Sequence, residues 1–311
     1  MTMTMTMTMN RLIRRLGSLA ACLAAGAAGA EPLTVCMAQD NAPLSYQVAG
    51  QARGLDMLIA RAIADELKRE LKTVLFESEY DAGKPLSHQV NAMLSSGVCD
   101  LASGFPLIAN DLGAPSRPTA RVPDYPGALR PPQRPWVPLG TLVPSRAYHA
   151  VAMGLVVRDA VRETATLADA GDARIGVTAG TMSGTVVTLY RNGKLRQQLV
   201  SVSQNEDALD QLSAGRFDAT LVSLDRFDAW RLTHPGSPLR RAAYVHPLRI
   251  NIGYVARSDA QDVLAAANRV ITGALANGDL QRWSTAAGST WIAPTEPEVS
   301  GPIGLAQLMQ E

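Results

Sequence analysis

The chain is short of several things that would have narrowed its chemistry. Among 311 residues there are three cysteines, Cys22, Cys36 and Cys99, too few for a disulfide scaffold. The four histidines, His88, His149, His234 and His246, show no metal-ligand spacing. There is no G-x-S-x-G, no Cys–His nucleophile signature and no phosphate-binding loop. Nothing here implies a metal or a cofactor. An excess of one charge is missing too: 29 Lys+Arg stand against 28 Asp+Glu. That balance argues against a nucleic-acid binder, and the dominance of arginine over lysine reads as coding bias. With 47% apolar residues the chain is no disordered regulator. It has enough for one large domain or two ordinary ones.

The first thirty residues read as an address. Arg11, Arg14 and Arg15 precede the apolar run Leu16 to Ala25, and Ala28-Gly29-Ala30 follows. A basic region, a short apolar region and an A-x-A site make a secretory signal peptide cleaved after Ala30. The run is too short for a transmembrane span, which needs about 20 apolar residues. A competing reading takes Leu19-Ala20-Ala21-Cys22 as a lipobox with lipidated Cys22, but its apolar region is shorter still. Cleavage removes three arginines and no acid, leaving 26 basic and 28 acidic residues, a net of −2. It also leaves Cys36 and Cys99 in an oxidising compartment. A pair there reads as a disulfide, two buried thiols being the other reading.

Along the rest, apolar runs and helical spacing alternate. Leu33 to Ala38 reads as a buried strand, Leu55 to Leu71 as an amphipathic helix, and Val74 to Phe76 as a strand. Leu86 to Ser95 reads as a helix stopped by Gly97, and Cys99 to Gly104 as a third strand. Such alternation implies a parallel sheet. Residues 111–144 break it, holding nine of the nineteen prolines, so regular structure is not expected. Such a long loop is either functional or an excursion without a binding role.

The alternation then restarts. Strands are expected at Val151–Val157, Arg174–Val177, Phe217–Leu221 and Ile250–Ala256. Helices are expected at Leu167–Asp169, after the turn Gly180-Thr181-Met182-Ser183-Gly184, at Asn205–Ala214, at Arg226–Leu232 and at Val263–Ala276. Two α/β halves with a late final helix imply a two-lobed fold whose chain crosses back.

Several segments resemble, in order, the bacterial extracellular solute-binding proteins of family 3. They are Gly54-Leu55-Asp56, Ala62 to Leu67, Leu94 to Leu101, Ile175 to Thr181, Ala208 to Ala219 and Ile252 to Arg257, with Asn268, Asn277-Gly278 and Trp283 beyond. The resemblance runs from about Leu33 to Trp291. It implies a type II periplasmic-binding fold: α/β, two-lobed, with parallel-dominated sheets flanked by helices and a two-strand hinge. Lobe one would comprise 31–150 and 253–311, with the Pro-rich insertion 111–144, and lobe two 151–252. The crossings would fall near Tyr148-His149 and Ile250-Asn251.

Where amino-acid binders of this family carry an arginine for the ligand carboxylate, this sequence has Asp111. Where they carry an aspartate for the ammonium it has Ser223, with Asp225 two residues late. Ordinary amino-acid capture is therefore not expected. The turn at Gly180 to Ser183 suits an anion, or is an ordinary capped turn.

A narrower branch is closer. Val35-Cys36-Met37-Ala38-Gln39-Asp40-Asn41-Ala42-Pro43, Cys99-Asp100 and Gly104-Phe105-Pro106 resemble the binding-protein-like components associated with quinoprotein (PQQ-dependent) methanol and alcohol dehydrogenases, the MxaJ and XoxJ type. That likeness implies neighbouring first and third strands with Cys36 and Cys99 bridged. It also implies a periplasmic accessory role, with the dehydrogenase, its cytochrome c or a small ligand as partner. Candidate cleft residues are Asp40, Asn41, Ser45, Tyr46, Tyr80, Phe105, Pro106, Asp111, Tyr148, His149, Thr181, Ser183, Ser223 and Asp225.

Two other readings stand beside it. One is the receptor of an ABC importer for a small non-amino-acid solute. The other is a dehydratase-like enzyme using His149 with Asp111 or Asp225. With the motifs of catalysis absent, the sequence reads as a non-enzyme.

Overall fold

Leu33-Thr34-Val35-Cys36-Met37-Ala38 is almost wholly apolar, as a parallel strand covered on both faces must be, and it forms β1 (Leu33–Ala38). In the computed structural model, residues 30–78, 85–159, 161 and 163–310 are described. The signal-peptide and lipobox readings, and Tyr80, lie outside them. The chain divides into residues 1–31, of which only Ala30 and Glu31 are described, and the unit Pro32–Glu311, to which everything below refers.

After β1 the chain makes a small antiparallel meander, β2 (Asp40–Asn41), β3 (Ser45–Val48) and β4 (Gln51–Arg53). Helix α1 follows (Leu55–Leu67). It stops four residues short of the expected Leu71 because Lys68 takes the left-handed conformation, and the Lys68 and Arg69 amides close onto the carbonyls of Asp65 and Ala64. The freed residues start β5 (Leu71–Phe76). Helix α2 (Leu86–Ser95) and β6 (Leu101–Pro106) complete the first set. Strand β1 lies between β5 and β6, parallel to both.

The proline-rich stretch is largely irregular, as expected. It holds short 3-10 turns at Ala109–Asp111 and Pro131–Gln133, and the two-residue strands β7 (Thr119–Ala120) and β8 (Val137–Pro138). Then comes β9 (Leu142–Arg158), far longer than the strand the sequence indicates. The second set is β10 (Ile175–Thr178), α3 (Met182–Leu189), β11 (Leu199–Val202), α4 (Ala208–Ser213), β12 (Ala219–Ser223) and α5 (Leu224–Thr233). Strand β13 (Leu239–Arg257) is again long. Helices α6 (Gln261–Asn277), α7 (Asp279–Ala286) and α8 (Leu305–Leu308) end the chain. Gly278, in the left-handed conformation, closes α6 as expected but also opens α7.

The eight principal strands are ordered β11-β10-β12-β9-β13-β6-β1-β5. Each flank is parallel inside itself. The middle pair, β9 and β13, is antiparallel and joins the flanks, each strand running through both lobes. The first half of β9 faces the second half of β13 in lobe one, and the reverse holds in lobe two. Ile250 pairs with Val151, Asn251 with Ala150 and Ile252 with His149, near the middle of both strands. Separate apolar cores support each lobe, one around Ile59, Ile63 and Tyr254, another around Leu155, Ile175 and Val187.

The tail beyond α7 straps the crossing. The Ala150 amide donates to the Ile292 carbonyl, Trp291 Nε1 donates to the Tyr148 carbonyl, and Asn251 Nδ2 donates to the carbonyls of Thr295 and Glu298. Farther on, His246 Nε2 lies 3.3 Å from the Leu308 carbonyl. The tail thus touches the lobe-two part of β13 as well as lobe one.

Candidate functional site

In open α/β sheets, ligands meet the carboxyl ends of the strands, where loops diverge. Ala38, Phe76, Pro106 and Ser223 are the last residues of β1, β5, β6 and β12. All four line one cavity of about 360 Å³ between the lobes. Lobe one contributes Asp40, Asn41, Leu44, Ser103 and Gly104, lobe two Ser223, Asp225, Arg226 and Ala229, and the crossing strands Val151 and Ile252.

The lobe-one wall is anchored. A disulfide joins Cys36 to Cys99, with Cα atoms 5.7 Å apart, tying β1 to the residue before β6. Asp100 then reaches back, its Oδ2 accepting from the Thr34 amide. Gly104 must be glycine. Its φ is +66°, and a Cβ there would sit 3.2 Å from Asp56 Oδ2 and 3.4 Å from Asn41 Nδ2.

Behind this wall lies a buried polar knot. Asp56 is fully buried in the first turn of α1. Tyr148 Oη donates to Asp56 Oδ1 at 2.6 Å and accepts from the Gly104 amide at 3.0 Å, while Tyr254 Oη donates to the Asp56 carbonyl. Among the described residues, Oδ2 of Asp56 has no partner within hydrogen-bonding geometry, although Ser103 lies close enough to oppose the effect of burial. Burial lifts the Asp56 carboxyl above the usual aspartate range, against the opposing pull of the Tyr148 hydrogen bond. The Tyr148 and Tyr254 hydroxyls are pushed well above the usual tyrosine value by burial and then by the Asp56 charge.

The lobe-two wall is built differently. Strand β12 passes into α5 with no intervening loop, which sets Ser223 and Asp225 at the cavity. Asp225 is 7% exposed; its Oδ1 lies 3.2 Å from Nε2 of the fully buried His149, and its Oδ2, itself buried, is without a partner among the described residues. Arg226 turns to Asp207, Nη2 to Oδ2 at 2.7 Å.

Of the expected cleft residues, the structure brings together Asp40, Asn41, Pro106, Ser223 and Asp225, with His149 and Tyr148 just behind them. The others go elsewhere. Phe105 does not make the cavity apolar: alternation along β6 turns it into the core with Cys36, Val90 and Met93, 1% exposed. Tyr46 lines a separate surface hollow with Arg53, Met57 and Arg61. Ser45 is buried outside the lining, its hydroxyl unpartnered. Asp111 is drawn off because the tail pairs with the chain after β6, Ala109 donating to the Ser300 carbonyl and Ser300 to that of Leu107.

Thr181 and Ser183 also lie outside the lining. Thr181 Oγ1 accepts from the Gly184 amide and donates to the Thr178 carbonyl, so the turn is an N-cap satisfied by itself. The cavity-lining Ser103 and the buried Asp56 escape sequence reasoning. Only the Gly54-Leu55-Asp56 helix start marks Asp56, and burial has no local signal. Among the described residues no His, Cys, Asp or Glu cluster could hold a metal ion, and no helix is long and apolar enough to cross a membrane.

No protein-family model and no curated protein matches the chain. Solved structures do share its fold. The L-cystine solute receptor of Neisseria gonorrhoeae, unliganded and open, superposes with a TM-score of 0.58 at 17% identity, covering 85% of this chain and 96% of that one. The second substrate binding domain of a putative amino acid ABC transporter from Streptococcus pneumoniae gives 0.56 at 17%, covering 83% and 100%. An amino acid ABC transporter substrate-binding protein from the same species, bound to L-arginine, gives 0.50 at 21%, covering 84% and 95%. The chain therefore has the two-lobed α/β fold of bacterial substrate-binding proteins, with a mostly parallel sheet flanked by helices.

Proposed function

We propose that this protein is an exported, binding-protein-like accessory component of a PQQ-dependent methanol or alcohol dehydrogenase system. It takes a small ligand, or an element of the dehydrogenase or its cytochrome c, between its lobes. Residues 31–150 with 253–311 act as one lobe and 151–252 as the other, and the protein binds rather than turns over. The observation that carries the reading is the inter-lobe cavity, at which Asn41, Gly104 and Pro106 meet behind the Cys36–Cys99 bridge. These are residues of the segments that resemble the dehydrogenase-associated branch.

The test is co-purification of the mature chain from periplasmic extract. Recovery of a quinoprotein dehydrogenase or its cytochrome c supports the accessory role. Recovery of neither, with a permease retained instead, replaces it with the second reading, an ABC importer receptor. The likeness in fold to substrate-binding proteins of ABC transporters is the observation behind that second reading.

A further inference from the structure

We propose that the segment after α7 is a latch across the two lobes, held at Leu308, and that its release frees the movement that opens and shuts the inter-lobe cavity. This goes beyond the question of the partner and rests on the division of the chain into two lobes.

The segment crosses the boundary more than once. It first meets lobe two, where the Thr290 amide donates to Asp228 Oδ2 at 2.6 Å and Arg241 Nη1 donates to Thr290 Oγ1 at 2.7 Å. At the crossing, the Thr295 amide donates to Asn251 Oδ1. Lobe one follows: Glu298 Oε1 accepts from Arg146 Nη2 at 2.7 Å, and Oε2 from the Ala147 amide at 3.1 Å. Ser300 is fixed there by both backbone groups, its amide donating to the Leu107 carbonyl and its carbonyl accepting from the Ala109 amide. Farther on the chain is back on lobe two, where Leu308 packs against the core around Leu155, Ile175 and Val187. The fully buried His246 completes this end. Its Nδ1 accepts from the Leu248 amide at 3.1 Å, which leaves Nε2 to carry the proton and donate to the Leu308 carbonyl.

Ser300 and Leu308 are therefore anchors on opposite lobes, joined by a short link. Rotating one lobe against the other changes their separation unless the axis passes through both. Unwinding α8 lengthens the link by about 2 Å per residue, and a larger opening must break one end. The lobe-one end has paired backbone hydrogen bonds and the Arg146–Glu298 ion pair. The lobe-two end rests on the His246 ring, a half-buried leucine and a four-residue helix too short to hold itself. The end at Leu308 is the one that yields.

Pulsed electron spin resonance on the full chain tests this. Labels at Lys72→Cys in β5 and Lys194→Cys ahead of β11, both exposed, report across the two ends of the sheet. The unaltered latch should give a narrow distance distribution. Leu308→Ala should broaden it, and Leu308→Asp should broaden it at least about twofold. Losing a hydrogen bond and part of a leucine's burial shifts the latched population by about tenfold. Leu305→Ser, on the same helix but 55% exposed, should change nothing. A broad distribution in the unaltered chain, or equal broadening by Leu305→Ser, overturns the latch. Hydrogen exchange at the Met309 amide, bonded to the Leu305 carbonyl, reads release directly. If Leu308→Asp speeds that exchange without broadening the distances, the lobes do not move apart and the two-lobe movement falls with the latch. If it speeds nothing, the hold at Leu308 alone falls. The accessory and importer readings stand in either case, since co-purification tests them separately.

Discussion

The two walls of the cavity solve the same problem in opposite ways. In lobe one a carboxyl, Asp56, is buried behind the surface and held by Tyr148, with the Cys36–Cys99 bridge and Gly104 fixing the strands in front of it. In lobe two a carboxyl, Asp225, lines the cavity, with Oδ1 3.2 Å from His149 Nε2 and Oδ2 buried without a partner among the described residues. Both carboxyls have one partnered oxygen and one buried oxygen without a partner among the described residues; they differ in that Asp225 lines the cavity and Asp56 lies behind it. The difference teaches that a buried carboxyl with one unpartnered oxygen can sit either at a cavity or behind it, so burial alone does not mark a site.

Substitutions can break this contrast. The largest effect is expected from the lobe-one anchor. Cys36→Ala with Cys99→Ala should lower stability by about 4 kcal/mol in urea unfolding, because the bridge closes a loop of 63 residues. Tyr148→Phe comes next. It leaves Asp56 Oδ1 and the Gly104 amide without partners in a buried setting, a loss of about 2 kcal/mol by the same measurement.

The pH response sharpens the contrast further. A carboxyl raised by folding contributes stability at low pH and loses that contribution as pH climbs from the ordinary aspartate value, about 4, through the raised one. Wild type is therefore expected to lose stability relative to Asp56→Asn as pH rises over that window. A difference that stays flat would show that burial does not govern Asp56. The smallest effects belong to the self-satisfied turn of lobe two. Thr181→Ala should cost about 1 kcal/mol through the lost cap, and Ser183→Ala no more than about 0.5 kcal/mol. Neither should change affinity for a ligand in the cavity.

Much of the architecture was legible because its signals are local. The apolar run at Leu33, the helical spacing from Leu55 and from Val263, and the proline density after Asp111 each act within a short window. The length of β9 and β13 was not legible. Their outer halves include Ser145 and Arg146, or Arg240, Arg241 and Pro247, which look like loop until a partner strand supplies the ladder. The four-residue β11 and the meander of β2 to β4 are too short to show a period. At the site, Asp225 and Asn41 were readable from position. Phe105 was not, because its side of the strand depends on which face meets the core. Thr181 misled because a cap closed on itself and a cap open to an anion have the same residues.

The sequence by itself determined the alternation of strands and helices and the pairing of Cys36 with Cys99 as a disulfide candidate. These follow from periodicity, residue chemistry and spacing along one stretch of chain. Only the tertiary structure decided that Asp40 and Asp225 share a cavity, that Asp56 lies buried behind it and that Asp111 does not reach it. Those outcomes depend on how distant segments cross and which carbonyls the tail engages, and no local window contains that information.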